Sequence, residues 1–325
     1  MRARAMRGLR KIRHALRGAA AACWPRPQPP VEIRVKASTR QAHAARVDAV
    51  LARLQSALAQ GEPVPALEEL AGLAHVSPFH FHRIWRALTG ESLGRTVARL
   101  RLLRALHLLE DPDSTITSIA LASGFDSSQS LARAFRETLH AAPTDLRGDM
   151  DRIATARLRL QVAGMPEAPA ALQVEVVSLS PFKVVALRNR GAFADLDAAF
   201  GRLFAWAAEA GRVESIVGLH GVPLGDHRDV PADAFEFDCA IRIDAHAPVS
   251  QPLRVLPLGG GCHARARHLG PYEGIEGLVD RILGNWLPHS GRALRDVPIH
   301  YEFLDDPESV PAASLRADIY VPLQD

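Results

Sequence analysis

Two stretches of the sequence, 50 positions apart, share one pattern of helix-capping and apolar residues. In the first stretch Ser77 is a favoured N-cap, Pro78 holds the first helical position, and Gly90 can end a helix in the left-handed conformation. Apolar residues recur between these signals at helical spacing: Phe81, Ile84, Trp85 and Leu88. From Leu67 onward, the pattern therefore predicts a short helix, a turn and a second, amphipathic helix.

The second stretch repeats this pattern from Ile116 onward. Ser127 takes the N-cap position, and Phe135 takes a core position that tryptophan holds in the first stretch. The leading helices match at an offset of 49, so the second turn has one additional residue, with Gly124 as its predicted bend. A single long helix predicted from Ser92 to Leu109 would fix the two helix pairs relative to each other.

The second helix of each pair has a polar stripe opposite its apolar one. The residues of these stripes are Phe79, His82, Arg83 and Arg86 in the first helix, and Gln129, Ala132, Arg133 and Arg136 in the second. Arginine can bond two acceptors of guanine, and glutamine can do the same on adenine. Two such helices in one chain can enter successive major grooves, roughly 34 Å apart, without a dimer or a palindrome.

Residues 40 to 148 resemble the DNA-binding domain of the AraC/XylS family. The markers are LAGLAHVSPFHFHRIWRALTGESLG, RLRLLRALHLL and ITSIALASGFDSSQSLARAFRETLHAAPTDLR, of which the last is the most specific. The resemblance implies that certain residues contact bases: Phe79, His82 and Arg83 in the first unit, and Ser128, Gln129, Ser130 and Arg133 in the second. Double-stranded DNA and RNA polymerase are the expected macromolecular partners, and activation and repression both stay open.

Charge is divided unevenly along the chain. The net charge is +9 in residues 1–36, zero in residues 37–150 and −6 in residues 151–325. Since DNA-binding domains are usually basic, the neutral block argues against DNA binding unless its arginines cluster on the reading helices and the connecting helix. The arginines predicted to do so are Arg83, Arg86, Arg95, Arg99, Arg133 and Arg136.

Residues 1–36 are predicted to form a basic arm that ends in a proline cluster. Three interpretations stay open: a flexible arm without a specific role, an arm that contacts phosphates, or a cleaved targeting segment or upstream mis-start. Residues 37–150 are predicted to form the DNA-binding domain, residues 151–171 a linker, and residues 172–325 a second domain.

The second domain contains an internal repeat of about eighty residues. Residues 219–238 align with residues 299–318 without a gap, so His220 matches His300. Each copy reads as strand, helix, strand, strand. The predicted fold is therefore multidomain, with an all-α double helix-turn-helix domain followed by a duplicated βαββ domain of the α+β class.

This half resembles the GyrI-like effector-binding fold through RHLGPY, LDDPESVP and LRADIYVPL. The resemblance implies a sensor of small amphipathic, often cationic, compounds, and the candidate ligand residues are Trp206, Tyr272, Trp286, Tyr301 and Glu302. Plain core packing stays an alternative for the four aromatic residues. The position where the family often has glutamate holds Tyr301, and Glu302 follows it on the opposite side of the strand. A cationic ligand is therefore left open.

Sequence features of other functional classes are missing. The three cysteines form no CxxC, and no GxSxG, HExxH or phosphate loop occurs. His220 and His300 have no carboxylate or cysteine at metal-ligand spacing, so neither a metal nor a cofactor is expected. No apolar run is long enough to cross a bilayer, and a reducing cytoplasm fits the cysteine usage.

The sequence therefore predicts a transcriptional regulator without enzymatic activity, which binds specific DNA sequences and a small effector. Two alternatives stay open: a GyrI-like hydrolase or binding protein that carries a DNA-binding domain, and an architectural DNA-binding protein with a vestigial sensor. The main prediction requires Arg83 and Arg133 to be exposed.

Overall fold

The structure is a computed structural model that describes residues 37–162, 172–228, 230–243 and 249–324. The predicted basic arm (residues 1–36) and the linker residues 163–171 lie outside the described residues. The side chains of residues 37–44, Phe79 and Val162 also lie outside them. The described residues form two compact units, a helical unit up to residue 162 and a sheet unit from residue 172.

The helical unit consists of short helices around one long connecting helix, as predicted. Its helices within residues 37–162 are α1 (Ala37–Gln60), α2 (Leu67–Leu73), α3 (Pro78–Thr89), α4 (Leu93–Leu108), α5 (Ile116–Ala122), α6 (Ser128–Leu139), α7 (Pro143–Leu146) and α8 (Met150–Val162). The pairs α2–α3 and α5–α6 are the two predicted helix-turn-helix units, and α4 is the predicted connecting helix.

Both reading helices begin at their predicted N-caps, but only the second cap has its side-chain hydrogen bond. Ser77 has the extended backbone of an N-cap, yet its hydroxyl accepts no bond from the first turn of α3. Ser127 Oγ accepts from the Ser130 amide at 3.2 Å, and Ser130 Oγ accepts from the Ser127 amide at 3.1 Å. The second unit therefore has a reciprocal capping box.

Helix α4 contributes to two hydrophobic cores. The first core contains buried residues of α1 to α4: Val50, Leu54, Leu58, Leu70, Ala71, Ala74, Phe81, Trp85, Val97 and Leu100. The second contains buried residues from α4 onward: Leu102, Ala105, Leu106, Leu109, Ile119, Ala120, Leu131, Phe135, Leu139, Leu146, Ile153, Ala156 and Leu160. Leu103 packs against both.

Residues 151–162 differ from the prediction, which assigned them to the linker. They form most of α8, and Ile153, Ala156 and Leu160 are buried in the second core. These three residues follow the i, i+3, i+7 spacing of a helix with one buried side. The helical unit therefore extends past residue 151, where the linker was predicted to begin.

The sheet unit contains one eight-stranded antiparallel sheet. Its strands are β1 (Glu175–Leu179), β2 (Phe182–Arg190), β3 (Ile216–Pro223), β4 (Glu236–Ile243), β5 (Leu253–Leu258), β6 (Gly261–Leu269), β7 (His300–Phe303) and β8 (Arg316–Pro322). The strand order is β1-β6-β8-β7-β3-β4-β2-β5. This order reads the same from both ends when β1–β4 are exchanged with β5–β8.

The symmetry of the strand order confirms the predicted duplication and extends the repeat. Each copy begins with a strand that the sequence analysis missed, β1 in the first and β5 in the second. Each of these strands pairs with the other copy, since β1 pairs with β6 and β5 with β2. The two copies are therefore joined at the sheet centre, through β3 and β7, and also by exchanged edge strands.

The helices of the sheet unit are α9 (Leu196–Glu209), α10 (Ile275–Arg281), a π-helical turn (Ile282–Trp286) and α11 (Leu287–Ser290). We call the sheet side that contains Gly221, Cys239 and Tyr301 the helix face. There the Cys239 thiol lies 3.8 Å from the Leu196 carbonyl oxygen of α9. The other side, with His220 and Glu302, is the histidine face. Among the described residues, no helix combines the length and apolar composition needed to span a bilayer.

Candidate DNA interface and effector site

Helix α6 presents polar side chains to solvent. Gln129, Arg133 and Arg136 are exposed, and the Arg133 side chain is 79% exposed. Arg133 Nε donates to Glu137 Oε1 at 2.7 Å, an ion pair along the helix that holds the guanidinium in one direction. These residues can reach an approaching nucleic acid without any rearrangement of the core.

Two serines predicted to contact bases lie at the start of α6. Ser128 and Ser130 are half-buried. The Ser130 hydroxyl already belongs to the capping box, where it accepts from the Ser127 amide. Ser130 therefore positions the start of the helix, and Ser128 holds the first helical position.

Helix α3 presents a different surface. His82 is exposed and Arg86 is half-buried. Partial desolvation lowers the pKa of the His82 imidazole, so this ring is mainly neutral at neutral pH and can donate one hydrogen bond and accept another. Phe79, the remaining predicted contact on this helix, has a side chain outside the described residues.

The structure contradicts the prediction that Arg83 lies on an outward-facing stripe of α3. Its side chain is buried, with 6% of the residue exposed. His80 and Ala87, on the same stripe of α3, are also buried. Helical periodicity identifies residues that share a stripe, but it does not show whether another part of the chain covers that stripe. Of the two arginines required to be exposed, only Arg133 is.

The structure also contradicts the prediction that Arg99 adds free positive charge to the connecting helix. Its guanidinium bonds the buried Glu91 carboxylate, with an Nη2 to Oε1 distance of 2.6 Å. Glu91 also accepts from Thr96, whose hydroxyl accepts from Trp85 Nε1. Arg99 therefore closes a network that joins α3 to α4 and contributes little free positive charge.

A buried phenol and carboxylate lie together on the helix face of the sheet unit. Tyr301 Oη donates to Glu276 Oε1 at 2.8 Å, and the two residues are 2% and 4% exposed. Phe237 lies beside Tyr301, with ring centroids 6.3 Å apart. Gly221 lies opposite Tyr301 in the sheet. A Cβ at this position would lie 2.3 Å from Phe237 Cζ, so only glycine leaves room for the Phe237 ring. We call Tyr301, Glu276, Phe237, Phe303 and Tyr272 the phenol–carboxylate cluster.

Tyr272 is the second predicted tyrosine in this cluster. Its ring lies 4.8 Å from the Phe303 ring, and its hydroxyl donates to the Asp305 carbonyl oxygen at 2.7 Å. Burial raises the pKa of this phenol, which stays protonated at every physiological pH. Tyr272 therefore provides an apolar wall and a fixed polar atom.

The two predicted tryptophans do not belong to the cluster. Trp206 lies on α9 and Trp286 in the π-helical turn, and both are half-buried. Within the described ranges, no ring contact joins either of them to the cluster. The repeat matched them correctly as a pair, but the structure does not bring them together with the tyrosines.

Glu302 lies on the histidine face, opposite Tyr301, as the strand alternation predicts. It pairs across the sheet with His220 and accepts from Tyr320 Oη at 3.0 Å. Burial raises the pKa of the Glu302 carboxyl and lowers the pKa of His220 to about 4. The His220 and His300 rings are 6.2 Å apart, but the described residues contain no group of side chains arranged to hold a metal ion.

Glu276 is the functional candidate that the sequence analysis missed. It shares a helical stripe with Val279 and Leu283, both buried. A carboxylate within an apolar stripe is a recognisable signal, since burial of an ionisable group is costly unless it is paired. That signal was available in the sequence, whereas its pairing with Tyr301 depends on the tertiary fold.

Comparison with known proteins assigns both units. A helix-turn-helix domain model matches residues 70–149, and a GyrI-like small molecule binding domain model matches residues 172–324. The probable transcription factor PqrA of Proteus vulgaris is 31% identical over 101 residues, which are 31% of this chain and 82% of that protein. The chain belongs to the AraC/XylS family of transcriptional regulators.

Two further proteins are similar to this AraC/XylS regulator. The probable transcriptional regulator YgiV of Escherichia coli K12 is 29% identical over 154 residues, which are 47% of this chain and 96% of YgiV. A cryo-EM structure of EcmrR with DNA covers 80% of this chain and 99% of that chain, at 11% identity and a TM-score of 0.41. The predicted family and fold class are confirmed: the regulator combines a helix-turn-helix DNA-binding domain with a GyrI-like small-molecule-binding domain.

Proposed function

We propose that one molecule of this regulator binds a bipartite DNA site, with α3 and α6 in successive major grooves. The exposed row of Gln129, Arg133 and Arg136 on α6 carries this proposal, because these side chains can contact base edges and phosphates. Helix α4 supports it, since it packs into both cores and keeps the two reading helices in one body.

The proposed contacts differ between the two halves of the site. In the second half, Arg133 and Gln129 read bases, Arg136 contacts phosphate, and Ser128 contributes from the helix start. In the first half, His82 and Arg86 are the proposed polar contacts, and Phe79 stays a predicted contact. Arg83 is not included, because it is buried.

We also propose that the effector binds at the phenol–carboxylate cluster and is an amphipathic cation. The support is Glu276, a buried carboxylate that accepts from the Tyr301 phenol in a cluster of aromatic rings. A ligand cation would pair with this carboxylate, and the rings favour a positive group over their faces. Tyr272 would contact the same ligand.

Isothermal titration of the full chain with two probes of equal shape tests this proposal. Tetraphenylphosphonium and tetraphenylborate have opposite charges and nearly the same size. We expect the phosphonium to bind and Glu276→Gln to weaken it at least tenfold, while Tyr301→Phe weakens it less. Preference for the borate, or phosphonium binding that Glu276→Gln leaves unchanged, would contradict the assignment of Glu276.

We further propose that the regulator works without catalytic turnover, in the cytoplasm, and as an activator that contacts RNA polymerase. Membership in a family of transcriptional regulators supports these points. Multiple turnovers of a bound compound would favour the hydrolase alternative instead. Transcription in vitro from a promoter that contains the selected DNA site, with and without effector, tests activation directly.

Selection of bound sequences from random duplexes, with the full chain, tests the DNA proposal. We expect two conserved segments separated by about one helical turn. Binding without sequence preference would instead support an architectural role.

We propose that the DNA-binding unit extends to the end of α8 and that the effector unit begins near residue 172.

A further inference from the structure

Arg104 lies on α4 at the place where the two hydrophobic cores of the DNA-binding unit meet. Its Nε donates to the Ala122 carbonyl oxygen at 2.6 Å, and its Nη2 donates to the Ala59 carbonyl oxygen at 3.1 Å. Ala122 is the last residue of α5, and Ala59 lies in the last turn of α1. One guanidinium group therefore bonds the C-terminal ends of two helices.

These two helices belong to different cores. Helix α1 contributes Leu54 and Leu58 to the first core, and α5 contributes Ile119 and Ala120 to the second. The last carbonyls of a helix have no partner within the helix, and they carry the negative end of its dipole. A guanidinium group between two such helix ends can donate to carbonyl oxygens of both, and its planar geometry fixes the direction of each bond.

Other contacts beside Arg104 also join the two parts of the DNA-binding unit. Leu103, its neighbour on α4, packs against both cores. A Cβ on Gly124 would lie 3.1 Å from Arg101 Nε and 3.5 Å from Leu58 Cδ2. The turn of the second unit therefore lies directly against the end of α1. Apolar contacts hold the two parts together, whereas the two directional bonds of Arg104 restrict rotation between them.

We propose that Arg104 is a positioning residue that sets the angle between the two reading helices. This inference rests on the proposed binding of a bipartite DNA site. When both helices are held at the correct angle, binding of one half-site presents the other helix to its own half at a high effective concentration. Without Arg104, each unit keeps its own reading surface, but the two halves bind less cooperatively.

Arg152 provides a matched control. Its Nη1 donates to the Asp145 carbonyl oxygen at 2.8 Å, at the end of the short helix α7, so it is also an arginine that bonds a helix-end carbonyl. The two helices that this bond joins, α7 and α8, both contribute to the second core. Arg104→Met and Arg152→Met therefore remove the same charge and the same kind of bond, but only the first removes a bond between the cores.

The first measurement is independent of DNA. Spin labels at the exposed positions Glu68 on α2 and Thr117 on α5 report the distance between the units by double electron–electron resonance, in the full chain with Cys23 and Cys262 replaced by serine. We expect Arg104→Met to broaden or shift the distance distribution and Arg152→Met to leave it unchanged. An unchanged distribution in Arg104→Met would overturn the proposal.

The second measurement uses a duplex obtained by selection with the wild-type chain, and the same duplex with one conserved half randomised. We expect Arg104→Met to lower the affinity for the intact duplex at least tenfold and for the half-randomised duplex less than twofold. Equal losses on both duplexes would show general damage to the fold and contradict the proposal. If Arg104→Met does not fold, Arg104→Lys, which keeps the charge but not the fork, should show the same selective loss.

The two measurements separate this inference from the proposed function. If the wild-type chain binds intact and half-randomised duplexes equally well, the bipartite proposal fails. The label distances would still show whether Arg104 fixes the angle between the units.

Discussion

Helix α3 of the first helix-turn-helix buries Arg83 and Ala87, whereas the equivalent residues of α6 in the second, Arg133 and Glu137, are exposed. The two helices share their core pattern, their N-cap position and their length of 12 residues. What differs is the covering of one polar stripe. A repeated sequence pattern therefore determines how each helix packs inward, but it does not determine how much of its outer surface is free to bind DNA.

The left-handed backbone positions differ in a complementary way. In the first unit His75 has φ of 52° in the turn, and Gly90 has φ of 74° at the end of α3. In the second, Gly124 has φ of 79° in the turn, and His140 has φ of 55° at the end of α6. The backbones require the same two conformations, and each unit meets one of them with glycine and the other with a strained histidine.

The largest effect is expected from a change in the second core. Phe135→Ala should destabilise the helical unit by about 3–5 kcal/mol, because a fully buried aromatic ring leaves a cavity. Since α4 contributes to both cores, we expect the two helix-turn-helix units to unfold in one transition, measured by urea denaturation with circular dichroism. Leu158→Ala, at an exposed position of α8, is the control and should change little. Two separate transitions, of which only one shifts, would show that the units are independent.

The next effect concerns the two equivalent arginines. Arg133→Ala should weaken binding to a selected duplex by about 1–3 kcal/mol and leave the free energy of unfolding unchanged, because the side chain is exposed. Arg83→Ala should instead lower the free energy of unfolding, because it removes a side chain that is buried in the fold. Fluorescence anisotropy and urea denaturation of both variants separate the two roles. An Arg83 variant of normal stability that binds DNA as weakly as the Arg133 variant would place Arg83 at the DNA after all.

The two N-cap serines should differ by a smaller amount. Ser127→Ala removes the bond that Ser127 Oγ accepts from the Ser130 amide and should cost about 1 kcal/mol of unfolding free energy. Ser77→Ala removes no capping bond and should be nearly neutral, although the position in the sequence pattern is the same. Equal losses in the two variants would show that Ser77 caps α3 in solution.

Sequence patterns predicted the helical unit well, because its elements are marked locally. Capping residues and helical periodicity identified α2 to α6, including the connecting helix α4. The failures concern burial and pairing that the local pattern does not show: Arg83 is buried, and Arg99 is paired with Glu91, which lies just before α4. Helix α8 was missed although its periodicity was present.

The sheet unit shows the same limit. The repeat predicted the duplication, and strand alternation predicted that Tyr301 and Glu302 face opposite sides. Strands β1 and β5 were missed because each pairs with the other copy, a contact without a local sequence signal. Glu276 was missed as the carboxylate beside Tyr301 because the two residues meet only when α10 packs on the sheet.

The smallest effect is expected in the two turns, where His75→Gly should stabilise the helical unit by about 0.5 kcal/mol. The left-handed conformation costs a residue with a side chain about 1–2 kcal/mol, and glycine returns part of this gain through the greater entropy of its unfolded chain. The His75 side chain is exposed, so its loss removes little packing. The reciprocal change, Gly124→Ala, should destabilise by more, because φ is 79° and a Cβ would meet Arg101 at 3.1 Å. Urea denaturation measures both. Destabilisation by His75→Gly would mean that the histidine ring makes a contact that compensates for the backbone strain. The two turns would then differ in side-chain packing as well as in strain.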